Sequence, residues 1–191
     1  MRSAFGARAL GFALFHAHAP ALRFELSRGG GHLEQFTQAY DRGREILHAL
    51  FDDSDTLVAV LGFPAGERRR ALRSVRDCRI HIPRPCQAWT ETLEFDGEAE
   101  EWSYLAFAAA PELIDPLLWG AAAHDLGVRP RLECGVYLAD PARGVLAHPY
   151  DDRGMDLVGR REALAEAYAR FGEYLLDHDR TRMDGWFADG R

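Results

Sequence analysis

Leu22-Arg23-Phe24-Glu25-Leu26 alternates apolar and polar residues, which predicts a half-buried strand, because successive side chains of an extended chain point to opposite faces. Ser27 to Gly31 holds three consecutive glycines and predicts a loop. The period then changes. From His32 onward, Leu33, Phe36, Tyr40, Leu47, Leu50 and Phe51 fall on one helical face, with Gly43 on the same stripe, where it would let the helix approach a sheet closely. Asp52-Asp53-Ser54-Asp55 ends that helix. Thr56 to Leu61 is a continuous apolar run, the pattern of a central strand buried on both faces.

Arg68, Arg69, Arg70, Arg73, Arg76 and Arg79 follow at a spacing that places several on one helical face. Such a stripe either binds phosphates or is a solvated face answered by acids, and Glu91, Glu94, Asp96, Glu98, Glu100 and Glu101 are at hand. Ile80-His81-Ile82 predicts a short strand stopped by Pro83 and Pro85. Trp89–Phe95 and Trp102–Phe107 flank Asp96-Gly97 as a β-hairpin. Pro116 suits the first turn of a helix capped by Asp115, running to about Leu126 and closed by Gly127 and Pro130. Arg131 to Ala139 predicts another strand, and Asp140 to Gly144 a turn.

Gly144–Ala147 and Met155–Val158 are β-prone runs on either side of a dense turn, within the stretch HPYDDRGMDLV (148–158). They predict a tight hairpin in which Gly154 supplies a positive φ. Leu164, Tyr168, Phe171 and Leu175 mark a final long helix, and Met183, Trp186 and Phe187 a last helical turn that packs back onto the body. The whole pattern predicts an α+β fold: a mainly antiparallel, twisted sheet of about six strands with helices packed against it, in one domain over residues 1–191.

Composition narrows the function classes. The chain has 191 residues and a formal charge of -7, so an extended nucleic-acid backbone is not an expected partner. A basic protein surface is. Every one of the 23 basic residues is arginine, which pairs with carboxylates in bidentate fashion more readily than lysine does. Cys78, Cys86 and Cys134 are an odd number without metal-type spacing, and read as free, buried thiols of a reducing cytoplasm. Arg2, Arg8, the run Ala9–Ala17 and Ala17-His18-Ala19 imitate an export signal, but His16 and His18 interrupt the run and Pro20 would follow the cut. No apolar stretch reaches the ~18 residues of a membrane span.

His148, Tyr150, Asp151, Asp152, Arg153, Gly154 and Asp156 form the densest cluster of polar chemistry. As an active centre, its carboxylates and imidazole would ligate a divalent ion; yet a turn spreads side chains apart, so no tight metal site and no cofactor is expected. As a structural device, Arg153 would pair with Asp151, Asp156, Glu173 or Asp177 and pin the hairpin to the last helix. His178, Asp179 and Arg180 form a second polar cluster that suits bonding to helix-end carbonyls. Gly29-Gly30-Gly31 before a helix lacks the lysine and spacing of a phosphate loop.

The strings LRFEL, FTQAYDRGREIL, YDDRGMDLV and LLDHDRTRMDGWF, with AFGARALGFALFHAHAPALRFEL at the front, resemble the bacterial domain-of-unknown-function family 3885. The resemblance covers most of the chain, and YDDRGMD is its most specific part. It implies that the pseudo-signal is a folded N-terminus, and it transfers no activity. By analogy of class, small acidic α+β bacterial proteins serve as immunity partners of toxins. The expected function is therefore a non-enzymatic, cytoplasmic protein-binding module of the immunity type, with Glu94, Asp96, Glu98, Glu100 and Glu101 as the candidate contacts for a basic partner. The other reading is a metal-dependent hydrolase or nucleotide-processing enzyme built on residues 148–156.

Overall fold

The computed structural model describes residues 10, 13–84, 86–95 and 98–187. Asp96 and Gly97 of the expected hairpin turn, Pro85, and most of the pseudo-signal lie outside the described residues. The first half of the chain runs α1 (Leu14–Ala17), β1 (Ala21–Glu25), α2 (His32–Phe51), β2 (Val58–Pro64), α3 (Arg68–Asp77) and β3 (Cys86–Phe95). The second half runs β4 (Glu98–Ala108), α4 (Ile114–Ala122), β5 (Gly135–Asp140), β6 (Val145–Pro149), β7 (Gly154–Gly159), α5 (Arg161–Arg170) and α6 (Arg180–Phe187).

The strands form one sheet in the order β1-β7-β6-β5-β2-β4-β3, and each neighbouring pair is antiparallel. The fold is α+β as expected, with seven strands among the described residues where the pattern suggested about six. β2 lies inside the sheet, and Ala59 to Phe63 are buried whichever face they point to, which is why its sequence does not alternate. The outer edge of β1 is covered: Phe24 bridges Leu175, and the Leu176 N–H bonds the Arg23 carbonyl at 2.9 Å. Among the described residues the outer edge of β3 has no such cover.

α2 buries Phe36, Ala39, Gly43, Ile46, Leu47, Leu50 and Phe51 at helical spacing. Leu33 does not join them and is 71% exposed in the first turn. Gly43 does allow a close approach, but to α4 instead of the sheet: a Cβ there would stand 2.9 Å from a Leu118 methyl. α4 starts at Ile114 and ends at Ala122, shorter than expected. Asp115 makes no capping bond. Its carboxylate faces α2, accepting from Arg44 Nε at 3.0 Å and His48 Nε2 at 2.8 Å. Burial opposes a charge on His48, but the carboxylates of Asp115 and Asp52 outweigh it and hold the imidazole pKa above its ordinary value.

Three further differences have local causes. Ile80–Ile82 is not a strand, because the Ile80 N–H closes α3 onto the Val75 carbonyl at 3.1 Å. Arg79 stands beside it at φ 58, the left-handed position where such a helix end usually carries glycine. β5 starts at Gly135, not Arg131, because the preceding segment bonds back to α4 through Leu132 N–H to the Gly120 carbonyl at 3.0 Å. α5 ends at Arg170, two residues before Gly172, so Phe171 and Leu175 reach the core after the helix has stopped. α6 returns as expected and buries Met183 and Phe187.

Candidate functional site

β6 and β7 form the expected hairpin in the register His148↔Asp156 and Pro149↔Met155. Directly opposed residues share a face, so His148 and Asp156 lie side by side. The register across the whole sheet extends the row. β1 places Arg23 opposite Asp156, β5 and β6 place Tyr137 beside His148, and β4 places Tyr104 opposite both Gly62 and Trp89. Tyr137 stacks on His148 with centroids 4.2 Å apart, and Tyr104 on Trp89 at 5.2 Å. Between the two tyrosines Gly62 leaves the needed space: a Cβ would sit 2.8 Å from the Tyr104 ring and 3.4 Å from that of Tyr137. One band of polar and aromatic side chains thus crosses a single face of the sheet.

Asp156 is 0% exposed, and both its oxygens are engaged. Arg23 donates through Nε at 2.8 Å and through a terminal nitrogen at 3.1 Å, the bidentate geometry that arginine favours, and the Phe15 N–H donates at 3.0 Å. The bond to Asp156 raises the pKa of Arg23. The guanidinium also reaches Asp179 at 3.6 Å and lies over the Phe15 ring at 4.9 Å. At the other end of the band, the Tyr104 hydroxyl donates to the Leu10 carbonyl at 2.6 Å. The N-terminal segment therefore straps the band at two points, and Leu14 and Phe15 are fully buried.

His148 Nδ1 lies 2.8 Å from the Val136 carbonyl, so it carries the proton there. Nε2 is then a lone-pair acceptor, buried with no hydrogen-bond partner among the described residues. Burial holds the imidazole pKa below its ordinary value, against the pull of the Val136 carbonyl and of Asp156 and Asp151. Burial thus favours the neutral form of His148.

The hairpin turn is built inward. Asp151 Oδ1 accepts the N–H groups of Arg153 at 2.7 Å and Gly154 at 3.2 Å, while Oδ2 takes the Arg153 guanidinium through Nε at 2.9 Å and through Nη2. Arg153 is 74% exposed along its side chain and bonds within its own turn, with Asp125 at 3.9 Å, instead of pinning the hairpin to the last helix. Asp152 is buried near the Ser27 hydroxyl at 3.4 Å. Burial, then the neighbouring Asp151 charge, lifts its pKa above the ordinary value. Gly154 has no positive φ. Its requirement is space: a Cβ would stand 2.0 Å from the Tyr150 hydroxyl and 3.0 Å from the Phe24 carbonyl oxygen.

Of the motif, Tyr150 and Arg153 line an open cleft of about 580 Å³, shared with Ser27, Arg28 and Asp177. His148 and Asp156 do not reach it. Among the described residues no group of three or more histidine, cysteine or acidic side chains is arranged to hold a metal ion.

The β3–β4 hairpin is of another kind. Only Trp102 to Ala108 of β4 pair with β2, so Glu98 to Glu101 pair with β3 alone and the ribbon projects beyond the sheet. Glu94, Glu98, Glu100 and Glu101 are all exposed on it. Trp102 Nε1 donates to Glu100 at 2.8 Å and Trp89 Nε1 to Glu91 at 3.1 Å. Of the arginines of α3, Arg70 is answered elsewhere than expected, by Glu67 at 3.4 Å and Glu133 at 2.9 Å. Cys86 opens β3 exposed, Cys78 is buried and Cys134 half-buried, all free.

Sequence reasoning missed Arg23, Tyr137 and Ser27 as members of the motif's surroundings. Arg23 occupies a polar slot in the alternation of β1, and alternation alone assigns that slot to solvent. The remaining signal was the acid Asp156 in the matching polar slot of β7.

A family model described as a domain of unknown function (DUF3885) matches residues 1–179. No curated protein and no solved structure matches the chain.

Proposed function

Since the chain belongs to the DUF3885 family, we propose that it is a non-enzymatic protein-binding module of the immunity type, whose contact surface is the β3–β4 ribbon and whose YDDRGMD motif is the staple that holds the sheet. One observation carries this reading: among the described residues β3 presents an uncovered sheet edge, on a ribbon bearing Glu94, Glu98, Glu100 and Glu101, all exposed. An open edge offers unpaired N–H and C=O groups to a partner strand. The carboxylates select a basic partner and speed its arrival. A cytoplasmic toxin with a cationic active site fits that chemistry. The enzyme reading needs groups that converge in a concave site. Asp156 and His148 are instead buried, with the carboxylate consumed by Arg23 and Phe15.

The test compares two baits in host lysate, the wild type and Glu98→Gln/Glu100→Gln/Glu101→Gln. A basic protein retained by the first and lost from the second, with an association rate that falls as salt rises, is the expected result. Retention that ignores both salt and the substitutions would remove the ribbon from the interface.

A further inference from the structure

The arginine stripe of α3 has a concave counterpart that the ribbon does not explain. Arg70 and Arg73 of α3 and Arg129 and Arg131 of the segment before β5 line one cleft of about 490 Å³, with Asp77 and Glu133 as the acids at its wall. Four guanidinium groups around one hollow are unexpected in a chain of charge -7.

The cleft is organised by Glu133. Its backbone N–H bonds the Ser74 hydroxyl at 2.9 Å, and Ser74 is itself anchored to the Ala71 carbonyl at 2.8 Å. The two carboxylate oxygens then hold Arg131 at 3.1 Å and Arg70 at 2.9 Å, while Arg131 also donates to the His124 carbonyl at 2.7 Å. Those two arginines are oriented and half-neutralised. Arg73 and Arg129 are exposed, and no carboxylate lies within ion-pair distance of either among the described residues. Two unanswered guanidinium groups beside two fixed ones make a site for an oxyanion, since arginine forks match phosphate oxygens.

The hollow continues. Asp77 and Pro130 also line an adjoining cleft of about 480 Å³, where Tyr40 and Trp119 supply ring surface. The indole is fixed by its N–H to the Pro130 carbonyl at 3.0 Å and by edge contacts with Phe36 at 4.6 Å and Tyr40 at 5.6 Å. Both volumes fall in the usual range of small-molecule sites. The arrangement runs from arginines, past the exposed carboxylate of Asp77, to a cleft whose rings share the wall with Arg79 and Asp115.

We propose that this joined cleft binds a nucleoside phosphate. The phosphate lies against Arg73 and Arg129, a sugar hydroxyl donates to Asp77, and the base meets the rings of Tyr40 and Trp119. Binding here involves no residue of the ribbon or of the YDDRGMD motif, so it stands or falls apart from the protein-binding reading.

The experiment titrates the whole chain with AMP, GMP, ATP, GTP, the matching nucleosides and inorganic phosphate, read by calorimetry and by tryptophan fluorescence. At least one nucleotide should saturate at or below roughly millimolar concentration, with its nucleoside and inorganic phosphate each weaker by about tenfold or more. Arg73→Ala/Arg129→Ala should weaken that nucleotide by about tenfold or more at unchanged Tm, because both side chains are exposed and, among the described residues, make no ion pair. Trp119→Phe should remove most of the fluorescence response. Absence of saturation by every nucleotide overturns the proposal. So does inorganic phosphate binding as tightly as nucleotides, or full affinity in the folded double variant.

Discussion

Asp151, Asp152 and Asp156 in the β6–β7 hairpin are at most 5% exposed, whereas Glu94, Glu98, Glu100 and Glu101 in the β3–β4 hairpin all face solvent. Both hairpins belong to the same antiparallel sheet and both concentrate carboxylates. Their positions in the sheet differ. β6 and β7 lie inside it, with neighbours on each side and a strap above, so a carboxylate there must find donors or lose its solvation uncompensated. β3 is an edge strand, and its ribbon outruns β2, so Glu94, Glu98, Glu100 and Glu101 stay open to solvent. The interior acids therefore contribute architecture, and the edge acids contribute field.

Substitutions that remove a partner should separate the two hairpins most. Asp156→Ala leaves Arg23, only 15% exposed, without its bidentate acceptor and the Phe15 N–H unbonded, and should cost about 3–5 kcal/mol in urea unfolding. A loss under about 1 kcal/mol would place the pair among ordinary surface bridges. Gly154→Ala comes next. The added methyl meets Tyr150 and the Phe24 carbonyl, so a cost of about 1–3 kcal/mol is expected, and Tyr150→Phe in the same chain should recover part of it.

His148 sharpens the comparison through pH. Its folded pKa is depressed by burial, so below the unfolded value of ~6.5 the unfolded chain takes up a proton that the folded chain resists. Stability should fall as pH drops from about 6.5 toward 5. His148→Phe keeps a ring against Tyr137 and removes the titration, so it should flatten that part of the profile, read by Tm across the pH series. An unchanged slope would mean that the imidazole is protonated in place.

The smallest effects belong to exposed charges. Arg153→Ala removes a pair whose guanidinium is 74% exposed, and should cost no more than about 1 kcal/mol. Neutralising Glu98, Glu100 and Glu101 together should leave the unfolding midpoint within about 0.5 kcal/mol of wild type. If the triple variant unfolds earlier than Asp156→Ala, the division between interior and edge hairpins fails.

Periodicity along the chain was enough for the α+β class, the span of α2, both hairpins and the returning α6, because each rests on local geometry: a stripe every 3.6 residues, alternation every two, and turn residues between. It placed the dense polar stretch at the tip of a hairpin and assigned Arg23 to water. The same logic offered Gly154 for its torsion angle, where the actual demand is the nearness of Tyr150. Those points could be settled only by strand order. Once β7 lies between β1 and β6, the polar slots of three strands face one another, and a segment more than a hundred residues away in sequence closes over them with the N–H of Phe15. Alternation tells which side chains share a face, but whether that face meets water or another part of the chain is decided by long-range packing, and with it whether an aspartate is a staple or a lure.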